Sequence, residues 1–163
     1  MSDNISTTPE AELARSICAS FGNKASELLE ILHELQHQHG FVPEAAIPAI
    51  AKAVNLSRAE VHGVVTFYHD YRREKPGRHI VKICRAEACQ SMAAEETCSH
   101  AERKLKVKLG GTTSDGSVTL EGVFCLGNCA LSPAVMIDDK LHGRVTPQRM
   151  DELLGGLARK AAE

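Results

Sequence analysis

Residues 79–89 read HIVKICRAEAC and residues 117–129 read SVTLEGVFCLGNC. Each stretch opens with a β-rich run that ends on a cysteine, and a second cysteine follows within a few residues. The first pair, Cys84 and Cys89, is spaced C-x4-C; the second, Cys125 and Cys129, is spaced C-x3-C, and 35 residues separate the pairs. Both pairs therefore fall just past a strand end, where a chain can wrap around a bound group and offer backbone amides to it.

Working outward, residues 90–106 carry Ala94, Cys98, Ala101 and Leu105 at a helical period. Asp115–Gly116 is a two-residue hairpin signal ahead of the second strand. AVMID and KLHGR flank Asp138–Asp139 as another hairpin, and Thr146–Pro147 reads as the cap and first residue of a last helix. The order βα, then ββ, then α over residues 79–163 is that of a small thioredoxin-like α/β domain.

Upstream the period is helical. Leu13, Ile17 and Phe21 share a face from Pro9 onward, with Ala14 and Cys18 beside them. A second helix is expected from about Ser26, as N-cap, to His37, with Leu28, Ile31, Leu32 and Leu35 as its stripe and Gly40 as its stop. A third helix tolerates Pro48 only in its first turn, and Ser57 with Glu60 forms a capping-box pattern for a fourth. Charge and Pro/Gly density rise in RREKPGR, residues 72–78, which reads as a linker. The expected organisation is a helical docking domain over residues 1–75, with 1–10 disordered, and an α/β domain over 79–163.

The 163 residues carry a formal net charge of −2, so no field draws the chain to nucleic acid or anionic lipid. With no Trp, 4% aromatic residues and no long apolar run, neither a base-stacking platform nor a membrane span is expected. The polar, acidic start MSDNISTTPEAE lacks the features of a secretory signal, which points to the cytoplasm. Six cysteines in that compartment argue for metal or redox chemistry over structural disulfides.

Four thiolates from two loops suit a [2Fe–2S] cluster, because iron prefers soft sulfur and four cysteines complete its coordination. Structural zinc is the distant alternative, yet it favours C-x2-C spacing and often recruits His, and no His lies within either pair. Dithiol exchange also needs closer spacing. Gly127 and Asn128 permit a tight wrap between Cys125 and Cys129. Arg85, next to a ligand, either offsets cluster charge or faces a partner. Cys18 and Cys98 lie on or beside apolar stripes and read as small buried hydrophobes. His33, His37 and His39 read as a solvated face, and His62 and His69 receive no role. LSRAEVHGVV resembles a helix-turn-helix but offers only Arg58 to phosphate, so DNA binding is not expected. Gly110–Gly111 and Gly155–Gly156 lack a dinucleotide fingerprint, so the chain itself is not expected to hold NAD or flavin.

HGFVPEAAIPAIA, LSRAEVHGVVTFY, CRAEAC, CLGNCALSPAVMID and HGRVTPQRMDEL, in this order, resemble the thioredoxin-like [2Fe–2S] family over nearly everything after residue 25. The resemblance implies one [2Fe–2S] cluster on Cys84, Cys89, Cys125 and Cys129, and no catalytic residue in this chain. It also implies a partner subunit bearing FMN, the NAD site and a [4Fe–4S] cluster, without direct membrane contact. Ala86 and Glu87 depart from the C-x-G-x-x-C common in respiratory complex I members. They resemble instead the gamma subunit of NAD-dependent formate dehydrogenase, whose larger iron–sulfur subunit holds molybdenum. That subunit is the expected identity class, with complex I and NAD-reducing hydrogenase as alternatives.

Overall fold

A computed structural model of the chain describes residues 8–160, without the side chains of 158–160. The expected disorder of residues 1–7 lies outside the described residues, whereas Pro9 and Glu10 already belong to a helix. The chain divides into two compact units, residues 1–75 and residues 76–163. Arg72 is still tied to the first, its amide donating to Gln36 Oε1 at 2.7 Å and its carbonyl accepting from Val42. Gly77 already donates to Thr119 Oγ1 at 2.7 Å in the second.

The first unit contains α1 (Pro9–Ser20), α2 (Leu28–His39), α3 (Ile47–Ala53) and α4 (Arg58–Phe67). Apolar residues at helical spacing close its core, with Ala14, Ile31, Leu32, Leu35, Ile50 and Val61 fully buried. Each large side chain so buried contributes about 1.5–3 kcal/mol. The α4 start is the expected reciprocal box: Ser57 N donates to Glu60 Oε2 (2.7 Å) and Glu60 N to Ser57 Oγ (3.2 Å). Gly40 ends α2 at φ 92°, and Pro48 sits in the first turn of α3. Ser26, however, does not cap α2. A 3-10 turn at Ala25–Glu27 precedes that helix, and the Ser26 hydroxyl bonds Glu27 Oε1 instead.

The second unit is a four-stranded sheet in the order β2-β1-β3-β4, with β1 His79–Cys84, β2 Val118–Val123, β3 Val135–Ile137 and β4 Lys140–His142. β1 runs parallel to β2, with Cys84 opposite Val123, and antiparallel to β3. The short α5 (Glu87–Gln90), α6 (Ala94–Leu105) and α7 (Pro147–Lys160) complete it. Val81, Ile83, Leu120 and Val135 from the sheet pack with Cys98 and Ala101 of α6 and Met150 and Leu154 of α7. The Asp138–Asp139 turn has both residues at positive φ, as a two-residue hairpin requires, and Thr146 Oγ1 caps α7. Two expectations change. The helix expected over 90–106 is broken at Ala93 (φ 61°), because the chain must turn back after Cys89. Asp115–Gly116 does close a hairpin, but its loop is residues 114–117 and not two residues: Thr113 N donates to Val118 O and Leu120 N to Gly111 O, along the edge of β2 that β1 leaves free.

Candidate metal centre

The parallel pairing of β1 and β2 explains why cysteines far apart in sequence meet. Cys84 ends β1, Val123 stands opposite it at the end of β2, and Cys125 follows two residues later. Past Cys84 the chain is pinned by Arg85 N donating to Val123 O at 2.7 Å and by Gln90 Nε2 donating to Arg85 O at 2.8 Å. The α5 turn then carries Cys89 back beside Cys84. Together with Ala94 and Ala134 these two thiols form a small core of their own.

The second loop is built differently. Cys125 has φ 132°, a conformation side chains rarely adopt, and Gly127 follows at φ 73°. The Gly127 amide donates to Cys125 Sγ at 3.3 Å, and Cys129 opens a 3-10 turn, Cys129–Leu131. That turn is anchored by Arg144 N donating to Leu131 O (2.7 Å) and by Ser132 Oγ donating to Cys129 O (2.8 Å). Cys125 and Cys129 are exposed, and Phe124 (79% exposed), Met92 and Leu131 stand as exposed apolar side chains next to the loops.

The two loops reach each other through sulfur. Burial pushes the Cys84 thiol up, opposed by the amides of Ala86 and of Leu126 from the second loop. At Cys89 burial acts upward too, but hydrogen bonds from Ser132, the Ala134 amide and Cys84 together outweigh it, so this thiol lies below the ordinary value. The Cys129 thiol is pushed up, chiefly by the charge of Cys125 and less by that of Cys89.

The residues fit a small iron–sulfur group. Four soft donors come as two pairs, and amides from Ala86, Leu126, Ala134 and Gly127 are aimed at three of the sulfurs. Among the described residues no three His, Cys, Asp or Glu side chains gather at one point for a single ion. All four cysteines singled out from spacing thus lie at one end of the sheet. Cys18 and Cys98 lie elsewhere, in the helical core and the sheet core, with burial pushing both thiols up. Arg85 points its guanidinium at Glu95 (3.2 Å), with Nε buried and without a hydrogen-bond partner among the described residues. Sequence reasoning missed Ser132, Ala134 and Leu126; the last two act through backbone amides, which every residue type supplies.

Residues 14–158 match the family model for thioredoxin-like [2Fe–2S] ferredoxins. The chain is 42% identical over 126 residues to a subunit of the NADH-quinone oxidoreductase of Pseudomonas aeruginosa, covering 77% of this chain and 76% of the relative. It is 30% identical over 135 residues to the HndA subunit of the NADP-reducing hydrogenase of Solidesulfovibrio fructosivorans, covering 83% and 79%. A crystal structure of an NAD+-reducing [NiFe]-hydrogenase superposes at TM-score 0.72 and 20% identity, over 85% of this chain and 24% of that longer one. At that identity the superposition speaks for the fold.

Proposed function

The chain belongs to the thioredoxin-like [2Fe–2S] ferredoxin family, and on that basis we propose that Cys84, Cys89, Cys125 and Cys129 ligate its one cluster within a multi-subunit NAD(P)-linked oxidoreductase. Cys84 with Cys89 and Cys125 with Cys129 would each serve one iron. A [2Fe–2S] cluster, when bound, accepts and returns one electron at a time. The protein's own residues decide where. The inner pair is sealed in a small apolar core, while the outer pair lies at the surface beside Phe124 and Leu131, so electrons enter and leave on the outer side. That asymmetry carries the reading. Exposed aromatic and aliphatic side chains beside the outer ligands suit a protein partner, here the FMN- and NAD-bearing subunit that the resemblance implies.

The relatives' names favour a complex of the NADH-quinone oxidoreductase or NAD(P)-reducing hydrogenase type over the formate dehydrogenase expected from CRAEACQS. The formate-linked reading keeps one observation, Ala86–Glu87 in the first loop, and is the second reading. In the same proposal the helical unit, with Phe67 73% exposed at the end of α4, docks a partner subunit, and the complex works in the cytoplasm. Among the described residues no helix is long and apolar enough to cross a membrane.

Affinity purification of the tagged chain from its source tests this. A flavin-containing partner should co-purify, NADH should reduce the cluster, and quinone-, hydrogen- and formate-linked assays decide the complex. Phe124→Asp should weaken co-purification and leave the visible spectrum intact. A chain isolated alone, or one whose cluster NADH never reduces within the complex, ends the reading.

A further inference from the structure

We propose that the Ser132 hydroxyl positions and tunes the Cys89 sulfur, turning its hydrogen from the Cys129 carbonyl to that sulfur as the sulfur's negative charge grows. Ser132 is 8% exposed and Cys89 1%. Ser132 Oγ lies 3.5 Å from Cys89 Sγ and 2.8 Å from the Cys129 carbonyl oxygen. The side chain thus joins the inner ligand pair to the outer one. A hydroxyl has one hydrogen to give, and here two acceptors claim it.

With Cys89 protonated, its S–H donates to Ser132 Oγ and the hydroxyl donates on to Cys129. As a metal ligand Cys89 is a thiolate and can only accept. The Ala134 amide is one donor to this sulfur, and an ionised sulfur so deeply buried gains from a second, the Ser132 hydroxyl. The hydroxyl therefore donates to Cys89, and more strongly when the added electron makes the sulfur more negative. Donation to the more negative state favours reduction.

This inference rests on Cys89 being a ligand as proposed above, and the test separates the two. Redox titration of purified wild-type, Ser132→Ala and Ser132→Thr proteins gives the midpoint potentials, and optical spectra give the cluster content. Ser132→Ala should keep the cluster but shift the reduction equilibrium about tenfold toward the oxidised form, about 59 mV for one electron. Ser132→Thr, which retains the hydroxyl, should stay within about twofold of wild type. Cluster loss in Ser132→Ala alone, with Ser132→Thr intact, also supports the hydroxyl's role. An unchanged potential in Ser132→Ala, or equal cluster loss in both variants, overturns it. A wild-type cluster in Cys89→Ala would instead overturn the ligand assignment.

Discussion

Each of the two cysteine loops offers two sulfurs, from opposite environments. Cys84 and Cys89 are 2% and 1% exposed and are packed with Ala94 and Ala134 in a small core. Cys125 and Cys129 are exposed, and the backbone at Cys125 is strained at φ 132°. The inner loop is held by sheet and packing, whereas the outer loop is held by a few backbone bonds and by the close approach of Gly143. A packed half and an exposed half leave one face insulated and the other open to a partner.

Ligand removal probes this contrast most severely. Alanine at any of the four cysteines should abolish the visible and electron-spin signature of the cluster. The apo proteins should nevertheless differ. Cys84→Ala and Cys89→Ala should lower unfolding free energy by about 1–2 kcal/mol through lost packing, while Cys129→Ala should stay within about 0.5 kcal/mol of wild type. Equal apo costs in denaturant titrations would contradict the division into inner and outer loops.

Next in size is Gly143→Ala. A Cβ there would stand 2.7 Å from Leu131 Cβ and 2.9 Å from both Leu131 O and Asn128 Nδ2, so the outer loop must move. A loss of about 1–3 kcal/mol is expected, with faster cluster loss to a chelator. An unchanged chelation rate would mean that this anchor does not hold the loop. Relief of strain should act in the other direction: Cys125→Gly, measured without cluster, should be about 1 kcal/mol more stable than wild type. The smallest effect on the centre is expected from Cys98→Ala, with the cluster spectrum unchanged. Spectral loss in that variant would mean the ligand set is wrong.

Much of this was legible in the sequence because its signals are local. The Ser57–Glu60 box, the Gly40 stop, the Thr146–Pro147 start and the Asp138–Asp139 hairpin each depend on neighbouring residues, and each forms as read. The four cysteines stood out because thiols at loop spacing have few other uses. What failed depended on tertiary choice. Ser26 lost its cap to the 3-10 turn before α2, and the helix expected over 90–106 breaks at Ala93. Ser132 carried no recognisable signal, since a serine before proline is ordinary and its meeting with Cys89, 43 residues away in sequence, exists only in the fold.

Iron and acid-labile sulfide content of the anaerobically purified chain, with electron-spin resonance after reduction, is the plainest test of a four-thiolate cluster in this fold. The expected result is two irons and two sulfides per chain and one reducible paramagnetic signal, lost in each of the four cysteine variants. A colourless chain with one zinc and no reducible signal would contradict it.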